Sequence, residues 1–263
     1  MSVIKEITPM LSVITVSYNS SETIKVTLDS ILNQSYKNIE YIVIDGNSSD
    51  STVTILESYR DKFKQMSISY SFISEQDTGI YDAFNKGVKL SKGKWISFLG
   101  SDDYYLNNAL ELYSTTILNN NKNIDFVYSN VDILNDKKEI IKKINGIWSW
   151  FKFKRYMNIA HVGAFHNKEY FARYGCFNQT YKIAGDYELL LRAKSKLKTV
   201  KIEKVTAKMG NSGISNNFIS LVLKETFKAK NKTAKIGFLV CSLDYMIAIL
   251  KYYTKKIISA FTR

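Results

Sequence analysis

Proline is nearly absent. Pro9 is the single one among 263 residues, so no proline-rich linker divides the chain. Cysteine is scarce too: Cys176 and Cys241 lie far apart and lack C-x-x-C spacing, which argues against a disulfide framework or a zinc knuckle and fits a reducing cytosol. With only His161 and His166 as histidines, and no G-x-S-x-G elbow, Ser/His/Asp nucleophilic chemistry has no support. Glycine is missing where dinucleotide-binding folds need it, since the loop SYNSSE after the first strand-like run holds none, and no Walker pattern occurs. No apolar leader opens the chain. MSVIKEITPM runs straight into a strand-like segment, so a cleaved secretion signal is not expected and the protein is expected inside the cell.

What is present describes an ordinary globular protein: 45% hydrophobic and 23% charged residues, long enough for one large α/β domain with a helical extension. The formal net charge of +13 points to nucleic acid, an anionic membrane surface, or anionic small molecules such as nucleotide diphosphates. Over half of the excess sits at one end. From Asn217 to Arg263 nine lysines or arginines face only Glu225 and Asp244, a surplus of seven.

Strand and helix signals alternate through the first hundred residues. Leu11–Val16 is a β-branched run, SYNSSE supplies Ser20 or Ser21 as a helix cap, and a periodic segment follows to Gln34. Ile39–Ile44 repeats the strand signal and ends at Asp45 and Gly46, with a capped helix predicted through about Tyr59. Ser67–Ile73 reads as a third strand, Ile80–Leu90 as a helix, and Trp95–Leu99 as a fourth strand. This rhythm predicts a mainly parallel sheet with helices on both faces. Phe126–Leu134 and Thr199–Thr206 read as later strands, and GIWSWFKFKRY is assigned only coarsely.

Ligands of such sheets bind beyond the carboxyl ends of the strands. Asp45, Asp77 and the adjacent Asp102 and Asp103 fall there, so carboxylates distant in sequence are expected to converge. Two adjacent acids repel each other, which suits a hard divalent cation, Mg²⁺ or Mn²⁺, shared with substrate phosphates. Helix capping alone would need just one of them. Further on, KIAGDYELLLR sets Asp186 at a glycine-led helix start.

Three stretches carry a resemblance: LSVITVSYNSSETIKVTLDSILNQSYKNIEYIVIDGNSSDST, then SEQDTGIYDAFNKGVKLSKGKWISFLGSDD, then HVGAFHNKEYFARYGCFNQTYKIAGDYELLLR. In content and order they resemble family 2 glycosyltransferases, inverting enzymes of the GT-A fold, and especially those that build bacterial surface polysaccharides. The resemblance implies an α/β fold, Rossmann-like with a mainly parallel central sheet, over residues 1–216, followed by a basic amphipathic helical tail, 217–263. Within the domain it implies a nucleotide-sugar half, 10–105, and an acceptor half, 106–216. It further implies that Tyr18 stacks on the base and Asp45 bonds it, with Asp77 and Asn85 touching the donor and Asp82 a weaker candidate. The family's second acid after strand two is Gly46 here, which leaves the base identity open. Asp102 is implied as a ribose or outer metal ligand, Asp103 as the direct ligand, and Asp186 as general base. His161 is implied as an acceptor or phosphate contact, and Lys208–Ser215 as a lid. The implied partners are a nucleotide-diphosphate sugar and a glycan or lipid-linked acceptor, with no nucleic acid.

Tail positions 237, 241, 244, 248, 251, 255 and 259 form a narrow small-or-polar stripe on an otherwise apolar helix. Asp244 interrupts the apolar stretch, so a membrane span is not expected. The expected cover for the apolar face is the cytoplasmic surface of an inner membrane, with intramolecular packing or a homodimer as alternatives. Two rival functions stand beside the transferase: a nucleic-acid-binding protein, which the charge and the aromatic–basic stretch 148–156 would favour, and a sugar nucleotidyltransferase.

Overall fold

The structure is a computed structural model, and it describes residues 10–120, 123–211 and 218–261. Its centre is a nine-stranded sheet. The strands β1 (Leu11–Ser17), β2 (Ile39–Asp45), β3 (Ser69–Ser74) and β4 (Trp95–Gly100) lie parallel in the order β3-β2-β1-β4. All seven residues of β2 are buried, as expected of a strand covered on both faces. Beyond β4 come β8 (Phe165–Asn167), β6 (Phe126–Leu134), β9 (Thr199–Gly210) and β5 (Tyr104–Tyr105), with β7 (Ile140–Ile144) pairing β6 on the edge it shares with β8. The antiparallel β8 sits between β4 and β6, so the six longest strands all run the same way.

Side chains along the strands alternate between two cores. Leu11, Val13, Tyr41 and Val43 face α1 (Ile24–Leu32), α2 (Thr52–Ser58), α3 (Arg60–Gln65) and α5 (Ala109–Asn119). Ile14, Ile42, Ile44 and Phe98 face α4 (Ile80–Leu90), α7 (Lys168–Tyr174) and α8 (Gly185–Leu191). Period-two alternation in sequence thereby becomes a three-layer packing, each fully buried large side chain contributing about 1.5–3 kcal/mol. The α4 helix lies close on the sheet at Gly87, where a Cβ would come within 2.5 Å of Ile14.

Two boundaries moved for visible reasons. The third strand begins at Ser69 because Ser67 takes a left-handed φ of 55° in the turn that ends α3. The last strand runs on to Gly210 because β6 and β5 both pair with its final residues. The aromatic–basic stretch forms one short helix, α6 (Trp150–Phe153), anchored by the buried Phe153.

The C-terminal part consists of α9 (Ile219–Lys228), a π-helical turn (Ala229–Thr233) and α10 (Phe238–Phe261). Intramolecular packing of the apolar face is confined, among the described residues, to Phe238 and Tyr245 against Phe227. The middle of the narrow stripe meets the protein: Cys241 is buried, and Asp244 accepts bonds from Arg155 at 2.6 Å and from the buried Lys230. Leu239, Val240, Leu243, Met246 and Leu250 point outward, Leu239 77% exposed. The orientation gives the buried Lys230 charge its carboxylate, the side chains of Lys230 and Asp244 being only 2% and 9% exposed. The side chains of Lys255 and Ser259 lie outside the described residues. No helix among the described residues is long and apolar enough to cross a membrane.

Candidate active site

Sheet register gathers the site. Ser17 pairs with Asp45, Asp45 with Ser74, and Val16 with Gly100, so the loops that follow these strands open along one edge. On it Tyr18 is 66% exposed, its ring beside Gly46. A Cβ at residue 46 would lie 2.7 Å from Asp77 Oδ2 and 3.4 Å from the Tyr18 ring. Glycine here is what lets Tyr18 and Asp77 approach the same spot, and Asp77 is braced by a bond from Gly79 N at 2.9 Å.

Asp45 is at this edge but turned inward. It is fully buried, and its oxygens accept bonds from Ser17 Oγ (2.9 Å), Ser48 Oγ (2.5 Å), Ser48 N (2.9 Å) and Ser74 Oγ (2.7 Å). Four donors meet this carboxylate, which ties three loops together. Asn85 lies on α4. Its amide donates to Phe177 O at 2.9 Å and accepts from Phe177 N at 2.8 Å, a reciprocal pair that fastens α4 to the loop before α8. Asp82 accepts from Thr78 N and Gln179 Nε2, both at 3.1 Å, and is structural likewise.

The acidic pair folds back over Gly100. A Cβ there would meet Asp103 Oδ2 at 2.6 Å and Asp102 Oδ1 at 3.1 Å, so two carboxylates converge on a place that only glycine leaves open. Asp103 is buried and accepts from Gly100 N (3.1 Å) and Gly210 N (3.0 Å). Burial, and then the neighbouring Asp102 charge, push its carboxyl up to about 8, against the pull of those two N–H groups. A cation would reverse this balance. Among the described residues no group of three or more His, Cys, Asp or Glu forms a ready-made metal site. Mg²⁺ and Mn²⁺ sites at phosphates need only one or two carboxylates, which is what this pair offers. The first loop is joined to the pair by Ser20 and Ser101, whose hydroxyls lie 2.8 Å apart, and by Thr27 Oγ1 donating to Asp103 O at 2.7 Å.

Asp186 sits in the first turn of α8 and lines a cavity of about 510 Å³ together with His161 and Met209. Met209 precedes Gly210, whose N–H bonds Asp103, so β9 links the cavity wall to the acidic pair. Gly185 has no room for a side chain, because a Cβ would stand 2.6 Å from the Tyr81 ring. Burial raises the Asp186 carboxyl above its ordinary value, while His161, the N–H of Tyr187 and the Tyr81 hydroxyl act the other way. His161 is itself buried, stacked on Phe98 at 5.4 Å, its Nε2 2.9 Å from His166 Nε2. Burial lowers the pKa of both rings. His161 thus stands on the wall of the same cavity as Asp186. Of the expected lid, Lys208–Gly210 belong to β9, and 212–215 lie outside the described residues.

The cavity's other wall was missed by sequence reasoning. Ile219, Val222, Leu223 and Phe227 of α9 line it, with Lys142 and Arg155 among the cations. The signal was there: apolar residues at helical spacing just past the acceptor half.

A family model described as Glycosyl transferase family 2 matches residues 12–174. The chain is similar to a PGL/p-HBAD biosynthesis glycosyltransferase of Mycobacterium bovis, 28% identical over 87% of each chain. It is also similar to WfgD of Escherichia coli, a UDP-Glc:alpha-D-GlcNAc-diphosphoundecaprenol beta-1,3-glucosyltransferase, 35% identical over 51% of this chain and 50% of that one. Among solved structures, TarS of S. aureus matches with a TM-score of 0.66 at 17% identity, covering 89% of this chain and 42% of that longer one. The mannosyltransferase PcManGT from Pyrobaculum calidifontis, in complex with GDP-Man and Mn²⁺, matches at 0.65 and 15% identity, over 87% and 65%. These likenesses show the GT-A type of fold.

Proposed function

The chain belongs to glycosyl transferase family 2, and from that membership we propose an inverting, metal-dependent enzyme that moves a sugar from a nucleotide diphosphate to a lipid-linked glycan. One observation carries the reading: Asp186 lines a cavity walled by apolar α9, and β9 runs from that wall to the converging Asp102 and Asp103. The exposed Tyr18 ring offers a stacking surface for the base, with Asp77 at its lip. Asp102 and Asp103 would hold Mn²⁺ or Mg²⁺, which supplies Lewis-acid stabilisation of charge on a leaving diphosphate.

Asp186 takes the proton of the attacking acceptor hydroxyl. A hydroxyl is a poor nucleophile at neutral pH, so a carboxylate within hydrogen-bond reach is required. Attack from the face opposite the diphosphate in one displacement inverts the anomeric carbon. Burial that raises the carboxyl brings its basicity nearer to working pH, which favours proton transfer.

The lipid part of the acceptor is supported by the cavity's apolar wall, by Lys142 and Arg155 near it, and by the acceptor printed in the name of WfgD. The outward apolar face of α10 fits the cytoplasmic surface of an inner membrane, with the exposed Lys251 answering anionic headgroups at about 1 kcal/mol. This is a ridge of apolar side chains, not the basic groove with stacking aromatics that single-stranded nucleic acid requires. Family membership likewise displaces the nucleotidyltransferase alternative.

The test is transfer from UDP-glucose, UDP-GlcNAc and GDP-mannose to GlcNAc-diphosphoundecaprenol, with Mn²⁺ and with EDTA. Turnover that requires metal and disappears in Asp186→Asn is expected. Turnover undiminished by EDTA and by Asp186→Asn would sink the reading.

A further inference from the structure

The loop that leads into α8 has its backbone donors answered from far along the chain. Glu225 of α9 is only 6% exposed, and its carboxylate accepts three N–H bonds: from Lys182 at 2.7 Å, and from Ile183 and Ala184 at 2.9 Å each. Two further ties join the same regions. Thr233 Oγ1 donates to Glu188 Oε1 at 2.8 Å, and Lys228 Nζ donates to Thr180 Oγ1 at 3.0 Å. From the opposite side the Tyr81 hydroxyl donates to Ile183 O at 2.5 Å and accepts from Gly185 N at 2.8 Å. Residues 182–185 are therefore gripped between α4 and α9, and Asp186 is the next residue.

A buried carboxylate costs several kcal/mol unless donors surround it, and charge-assisted bonds to N–H groups are about twice as strong as neutral ones. Helix starts are commonly satisfied by a local Ser, Thr, Asp or Asn, yet the residue preceding α8 is Ala184, which has no side chain to cap with. The Tyr81 hydroxyl accepts from the first N–H groups of α8, and Glu225 takes the three N–H groups that come just before them. A carboxylate borne by α9 also fixes where the approach to the helix stands relative to the cavity that α9 lines. The same α9 lines the cavity with Val222 and Leu223.

We infer that Glu225 is a positioning residue for sugar transfer, holding the Lys182–Gly185 loop so that the Asp186 carboxylate meets the acceptor. The C-terminal helices thus complete the active site as well as presenting a face for a membrane. The inference rests on the reading of Asp186 as the base, and the experiment separates the two.

Full-length Glu225→Gln, Glu225→Ala and Asp186→Asn are compared by UDP affinity, thermal transition, hydrogen exchange, and kcat and acceptor KM in the transfer assay. Expected in the Ala variant are UDP binding within twofold of wild type and kcat lower by about 100-fold, the scale of a displacement near 1 Å. Glu225→Gln, which keeps one oxygen acceptor, is expected to recover about tenfold of that loss, with acceptor KM changed less than threefold in both. A role in stability alone would lower the thermal transition and leave kcat intact at temperatures below it. If the Ala variant does not fold, the Gln variant is judged by the same split. An inactive Asp186→Asn beside Glu225 variants within twofold of wild-type kcat overturns the clamp alone. A fully active Asp186→Asn overturns both it and the base. Should none of the donors turn over, exchange decides: amides 182–184 deprotected in Glu225→Gln, with the sheet unchanged, support the clamp, and unaltered protection overturns it.

Discussion

At the scale of single residues, one glycine and one carboxylate make sharp tests. Adding a methyl at Gly100 places a Cβ 2.6 Å from Asp103 Oδ2 and pries the acidic pair apart. Gly100→Ala is expected to weaken Mn²⁺ binding in the presence of UDP at least tenfold by calorimetry, at a stability cost of about 1–3 kcal/mol from overpacking. For Asp186 the sign follows from its shift. A base works only when deprotonated, so a raised carboxyl moves the acid limb of kcat/KM above the ordinary carboxylate range near 4, and activity falls as pH drops through that limb. Asp186→Asn should remove the limb and about 10²–10⁴-fold of the rate. The sequence marked both places, through the LGSDD and GDYELLLR patterns. It also marked Asp45 and Asn85, whose polar atoms meet Ser17, Ser48, Ser74 and the Phe177 backbone. Side-chain type announces a capacity for hydrogen bonding, and only the neighbours that arrive in three dimensions show whether that capacity is already spent.

At the scale of elements, strand positions were legible because β1 and β2 are buried on both faces and read as unbroken apolar runs. Helix α4 matched its predicted span, Ile80–Leu90, since period 3.6 is strong over eleven residues. Helix α10 was legible as a helix but not in its orientation. Composition alone would bury the wide apolar face, yet Asp244, Arg155 and Lys230 decide otherwise. Replacing Asp244 by Ala leaves Lys230 charged and buried without its carboxylate, a loss of about 3–5 kcal/mol measurable by urea unfolding. Changing Lys230 to Met in the same chain should restore part of that loss, because a charge no longer lies buried and unpaired.

At the scale of the whole molecule, the outward face of α10 leads to a binding prediction. The protein is expected to float with vesicles containing anionic lipid and to release as salt rises, while Leu239→Asp with Leu243→Asp remains unbound. A concentration-dependent dimer that these changes dissociate, with no vesicle binding by the wild type, would assign the face to a second copy instead. The sequence by itself determined that strands alternate with helices, that acids stand at their carboxyl ends, and that a basic amphipathic tail follows. These are local properties, written in periodicity and in the chemistry of strand ends. Only the tertiary structure decided which neighbours each acid meets, which face of the tail looks outward, and that Glu225 braces the loop before Asp186. Each of those depends on which donor meets which acceptor across dozens of residues, and a hydrogen bond or buried charge is priced by its partner rather than by its place in the chain.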